Sequence, residues 1–328
     1  MFGLLSQFDL TDVWCWILFP AALAMAWGSY LWLLITGRNP LVLEDRSDVP
    51  WGLIDVVLLF ASMMAAKMVG QVVGMVMIAQ RLEVPVSGIT AELAYQNGDL
   101  LMGANIVCSL LQLVLVLYWI RFWQNATWVD LGMTWRGLRR QVCIGLVASV
   151  LLIPPLLFLN MIIHWLLEVE YSHQVLILVQ YAAGWTAVST ILVAPCLEEI
   201  HFRVFLQGWL ERVRSIDLGK KLQLIYGDRH ALSSSRSDGG RRLSMDSQPA
   251  GSESRGEKAA PVWPMFLSAL VFAGMHWGQG AGPYTLFVFA IGLGYLYRQT
   301  HSVVACVIVH LVLNLWSFVA LVSSLDLV

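Results

Sequence analysis

Long apolar runs broken by short polar intervals organise this chain. A helix needs about 20 apolar residues to cross the hydrocarbon of a bilayer. Eight stretches approach that length: 13–36, 52–79, 100–121, 142–166, 174–197, 262–277, 283–298 and 302–325. The sixth and seventh are short and are parted by Gly278, Gly280, Gly282 and Pro283. Pro154 and Pro155 predict a kink in the fourth, because proline lacks a backbone donor and clashes with the preceding turn. The pattern predicts an all-α fold, a polytopic membrane helical bundle of about eight transmembrane helices. No internal repeat accompanies it.

The basic residues test that count. Of the 20 Lys and Arg, 17 fall in the intervals after the first, third, fifth and seventh stretches; the opposite side holds only Arg81, while Lys67 and Arg203 lie within spans. Positive residues mark the cytoplasmic side, so both termini are expected on the non-cytoplasmic face, in a plasma (inner) membrane. Several tryptophans stand near proposed span ends (Trp14, Trp51, Trp123, Trp165, Trp263 and Trp277), where interfacial belts form.

Composition agrees. Hydrophobic residues make up 58% of the 328 and charged residues 13%, against about 25% charged in soluble domains. Membrane lipid is therefore the surrounding partner. The net charge of −2 gives no reason to expect nucleic acid. Cys15, Cys108, Cys143, Cys196 and Cys306 all lie in apolar stretches without a CxxC, which suits buried thiols rather than a disulfide framework or thiolate metal site. The first basic residue is Arg38, so the first stretch is expected to remain as an anchor and not to be cleaved as a signal peptide.

Residues 212–260 break the pattern. They are rich in Ser, Gly and Arg, and read as a disordered cytoplasmic loop unable to bury enough surface to order itself. Arg241-Arg242-Leu243-Ser244 has the form of a basic kinase site, a pattern common by chance.

Candidate chemistry lies in three late segments. In Leu197–Leu210, Glu198 and Glu199 are followed by His201 and Arg203. Glu199 and Arg203 stand at i,i+4, the order that favours an ion pair on a helix. Glu198 is rotated about 100° away and left for other work. Phe272 and His276 are again four apart, as are His310 and Asn314, the latter two within an apolar run. Polar groups in hydrocarbon cost about 2.5–3.5 kcal/mol each when charged and need partners. Carboxylates, imidazoles and an amide on three separate helices are the obvious partners for one another. His201 is expected to be incidental.

These segments resemble a known family. Glu198-Glu199-Ile200-His201-Phe202-Arg203 is similar to the EExxxR motif of the CPBP intramembrane proteases, which include the type II CAAX prenyl endopeptidases and bacteriocin-processing relatives. Phe272–His276 resembles the family's FxxxH, and His310–Asn314 its HxxxN, in the family's order. Trp128–Met133 looks like the segment that often precedes the family's core. The resemblance covers roughly 128–325, interrupted by the 212–260 loop, and leaves 1–127 as N-terminal transmembrane helices.

The resemblance implies an intramembrane endopeptidase acting near the cytoplasmic leaflet on a CAAX-type, prenylated or other membrane-associated peptide. By position, Glu198 with His276 would activate water, and His310 with Asn314 would donate to the oxyanion. Glu199 and Arg203 would support the first pair electrostatically. A divalent metal such as Zn on Glu198, His276 and His310 is the alternative. The absence of HExxH and of Cys ligands favours glutamate-activated water without a cofactor. Two other functions fit an apolar chain with buried charges. An ion-coupled transporter is disfavoured by the missing repeat; a non-catalytic scaffold or immunity-type protein would keep the motifs without turnover. No GxSxG is present to support serine chemistry.

Overall fold

The computed structural model describes residues 19–38, 41, 49–133, 137–167, 174–213 and 262–325. All regular structure among them is helical. In chain order the helices are α1 (Phe19–Ile35), α2 (Leu53–Leu82), α3 (Ala91–Gln96), α4 (Gly98–Trp123), α5 (Leu138–Leu167), α6 (Gln174–Ala187), α7 (Ala194–Glu199), α8 (Gly208–Val213), α9 (Trp263–Gly274), α10 (Gly282–Thr300) and α11 (Val303–Leu325). Among the described residues, each of the eight apolar stretches falls mostly on a helix. Yet among the described residues only α2, α4, α5 and α11 are long and apolar enough to cross a membrane, while α1 and α9 are apolar but shorter. The first stretch begins at 13, outside the described residues, as do the Arg241–Ser244 motif and all but the first two residues of the 212–260 loop.

Local chemistry explains how the first long helices pair. Asp55, in the first turn of α2, accepts from the Gly52 amide at 2.8 Å and caps the helix. The same carboxylate accepts from Gln124 Nε2 at 2.9 Å and Trp119 Nε1 at 3.3 Å. The start of α2 is thereby tied to the end of α4, and the pair is antiparallel. Gly70 and Gly74, one turn apart, form the seam. A Cβ on Gly70 would meet Asn105 Cα at 2.8 Å, and one on Gly74 would meet Leu101 Cα at 3.0 Å. Small residues four apart allow this close approach where lipid supplies no hydrophobic drive.

Pro154 and Pro155 lie inside α5, which runs on as one 30-residue helix. A break in α6, at Ala182 (φ −147°, ψ 46°), had no sign in the sequence. Beyond that break the chain runs on as one helical rod to the end of α8, with π-helical turns at Val188–Val193 and Ile200–Gln207. Those turns widen the rod, and π-helical segments occur often at functional sites.

The core gathers around the second π-turn. Ile200, Phe202, Val204 and Phe205 are buried with Phe272, Phe289, Leu293, Val309 and Leu313 from α9, α10 and α11. The residues before α2 clamp the end of the rod. Trp51 Nε1 donates to Phe205 O at 3.2 Å, and Arg212 donates to Val49 O at 2.7 Å and Trp51 O at 3.0 Å. The Trp128–Met133 segment docks on the last helix, where the Val303 amide donates to Gly132 O at 3.3 Å.

Candidate active site

Glu199 and Arg203 meet as their spacing predicts. Arg203 Nε donates to Glu199 Oε2 at 3.0 Å, and both side chains are fully buried. Arg203 also donates to Ser268 Oγ at 3.4 Å, and its guanidinium carbon sits 5.6 Å from the centre of the Phe272 ring. The other Glu199 oxygen has a partner the sequence did not indicate. His310 Nδ1 donates to Glu199 Oε1 at 2.8 Å. This carboxylate therefore joins an arginine four residues away to an imidazole on the last helix, 111 residues away.

His310 turns its other nitrogen to Glu198. Nε2 lies 3.8 Å from Glu198 Oε2, too long for a hydrogen bond and short enough for strong electrostatic influence. The Glu198 side chain is 19% exposed, whereas that of Glu199 is wholly covered. The pair divides as the helical rotation predicts: one carboxylate is locked in the protein, and the other faces open space.

That space is a cavity of about 430 Å³. Glu198, His276, His310 and Asn314 all line it, with Thr190, Gln279 and Lys67. His276 lies in the turn that follows α9, whose remaining residues lead through Gln279 to the start of α10. Irregular backbone at membrane depth is tolerated where it lines a cavity, and this turn does so. His276 donates from Nδ1 to Phe272 O at 2.8 Å, which leaves Nε2 as an acceptor in the neutral ring.

Phe272 gives the second motif its physical sense. It is fully buried, with ring centres 4.8 Å from His276, 6.0 Å from His310 and 4.9 Å from Phe202. Phe289 closes on the far side of His310 at 5.2 Å. Both imidazoles are thus held by aromatic walls. Asn314 gives one of its two amide hydrogens to Thr190 O at 2.7 Å, a carbonyl of the first π-turn.

His201 serves packing. It is fully buried, donates from Nδ1 to Leu197 O at 2.7 Å, and receives Gln112 Nε2 at 3.3 Å on its other nitrogen. Gln112 in turn donates to Ser62 Oγ at 2.9 Å, so this chain ties the rod to α4 and α2. Cys108, Cys143, Cys196 and Cys306 are free thiols. Among the described residues no three His, Cys, Asp or Glu side chains gather as a metal site would require, and Glu199 is already committed to Arg203 and His310.

The helices thus bring one open carboxylate, two histidines and an amide to a single cavity. A family model described as Type II CAAX prenyl endopeptidase Rce1-like matches residues 248–316, which is consistent with a CPBP family intramembrane protease. The matched segment holds Phe272–His276 and His310–Asn314. It does not reach Glu198–Arg203, which the fold brings against it. No curated protein and no solved structure matches the chain.

Proposed function

We propose that the chain is an intramembrane endopeptidase of CAAX type, hydrolysing a peptide bond from the cytoplasmic leaflet with water activated by Glu198. The observation that carries this is the convergence of Glu198, His276, His310 and Asn314 on one cavity. Water donating one hydrogen to Glu198 and the other to His276 Nε2 would be fixed for attack on a carbonyl. Glu198 takes the proton as the C–O bond forms, then delivers it to the leaving nitrogen as the C–N bond breaks. Products are one peptide with a new carboxylate and one with a new amine.

The tetrahedral oxygen receives hydrogen bonds from His310 Nε2 and from the second Asn314 amide hydrogen. Because His310 Nδ1 already donates to Glu199, donation from Nε2 requires the imidazolium, for which both glutamates are counter-charges. Arg203 pairs with Glu199, which in turn orients His310. A metal is not needed for any of these steps.

In this reading residues 128–325 form the peptidase core, with 212–260 inserted as a cytoplasmic loop. Residues 1–127 supply further walls. Its eight helical stretches cross the bilayer with both termini outside. The test is hydrolysis of prenylated and unprenylated C-terminal peptides by the purified chain. Glu198→Ala and His276→Ala are each expected to cost about 10²–10⁴-fold in kcat, and a chelator to cost nothing. Cleavage indifferent to both substitutions would discard the assignment; loss with chelator would assign Glu198, His276 and His310 to a metal.

A further inference from the structure

The cavity that holds Glu198 has a wall with no task in the mechanism. Asn160 of α5 and Thr285 of α10 both line it. Thr285 is buried in the first turn of α10, two residues after Pro283, and its β-branched side chain has little rotamer freedom. Its hydroxyl donates to Asn160 Oδ1 at 2.9 Å. Asn160 lies within α5, a helix long and apolar enough to cross a membrane. Phe158 and Met161 beside it are exposed on the apolar surface, whereas Leu156 and Leu157 share the cavity wall. The amide is therefore turned inward, and it is only partly buried there.

A carboxamide carries an acceptor on one side and two donor hydrogens on the other. With Oδ1 taken by Thr285, the spare capacity of Asn160 is at Nδ2. No described residue accepts from that nitrogen, and it is not sealed inside the protein. At membrane depth a donor needs a partner, since bulk water does not supply one. A peptide drawn into the cavity has the complementary need, because its backbone carbonyls leave water and must find donors. An amide already held by a hydroxyl gives its hydrogens in one direction, so little freedom is lost on binding. Other polar groups on this cavity are committed. The Thr190 hydroxyl is spent on Thr186 O at 2.8 Å, and the second Asn314 hydrogen serves the oxyanion.

Building on the peptidase reading, we propose that Asn160 binds the substrate main chain: its Nδ2 donates to one backbone carbonyl other than the scissile one, and so sets which bond lies over Glu198. Thr285 is a positioning residue that acts through it, by aiming the amide. The contact reads the backbone and not the side chains, so it fixes register without selecting sequence. Thr285 lies within the matched 248–316 segment and Asn160 outside it, and the fold joins them across the cavity wall.

A thioamide scan tests this on the purified full chain in nanodiscs. The substrate is a prenylated or unprenylated C-terminal peptide, with hydrolysis scored only where Glu198→Gln abolishes it. One carbonyl oxygen at a time, never the scissile one, is replaced by sulfur, a weaker acceptor. An ordinary hydrogen bond corresponds to roughly 2–10-fold. Wild type is expected to lose that factor at one position, through KM. Asn160→Leu loses it already on the all-oxygen peptide and shows no further loss from sulfur at that position. Thr285→Val, which leaves the amide in place but unaimed, keeps only part of the sulfur effect. A flat wild-type scan overturns the assignment, independent of any variant's folding. So does Asn160→Leu slowing every peptide alike with the sulfur penalty intact, which would make the asparagine a packing residue of α5. If neither peptide shows Glu198-dependent hydrolysis, the peptidase reading itself falls, and this contact with it.

Discussion

At the scale of single residues, the site divides its two adjacent carboxylates by environment. The Glu199–Arg203 pair was legible because an i,i+4 spacing on a helix leaves few alternatives. The Glu199–His310 hydrogen bond was not, since nothing in local sequence reports a contact 111 residues away. The closed triad of Arg203, Glu199 and His310 has an energetic consequence. Breaking a buried pair by removing one partner costs about 3–5 kcal/mol, because the remaining charge is uncompensated. Arg203→Met is expected to lose that much in a denaturation series in detergent. Removing the charge from its partner as well, in Arg203→Met with Glu199→Gln, should recover a good part. Additive losses would mean that the two groups do not compensate each other.

At the scale of elements, the site depends on a helix that changes its winding twice. The hydrophobic pattern predicted the rod from 174 onward, because apolar runs report burial in lipid whatever the helix type. It carried no sign of the π-helical turns, which differ from α-helix by one residue of register. The turn at Val188–Val193 frees the Thr190 carbonyl that Asn314 binds, and so couples the rod to α11 beside the cavity. Deleting Leu192, whose side chain is 53% exposed on the apolar surface, would return this turn to α-helical register. One residue of register is a rotation of about 100°. The expected result is near-complete loss of peptide hydrolysis with circular dichroism unchanged. Retained activity would show that the winding does not position the site. Local sequence also gave no sign of the non-helical backbone at Ala182 in α6, whereas Pro154 and Pro155 lie within the continuous α5.

At the scale of the whole molecule, apolar runs and basic intervals predicted an orientation that the packing makes testable. The start of α2 is bonded to the end of α4 through Asp55, Trp119 and Gln124, so the turn after α2 lies at the opposite end from the turn after α4. Arg212 brings the end of the Glu198-bearing rod to the same end as the start of α2. These contacts agree with the basic intervals lying together on one face. The short helix α1 has 17 residues, about 26 Å by its rise, slightly less than the roughly 30 Å of hydrocarbon. Whether it crosses decides the side of the N-terminus. Whether α2 and α4 cross is resolved by single cysteines at Thr36, Ser87 and Asn125, all exposed positions between helices, in a chain otherwise cleared of cysteine, with a membrane-impermeant thiol reagent. Cytoplasmic-side labelling is expected at Thr36 and Asn125, and labelling from the other side at Ser87. Protection of Ser87 from the outer reagent, with all three reacting from the cytoplasm, would mean that α2 and α4 re-enter rather than span. The eight-crossing arrangement would then have to be given up.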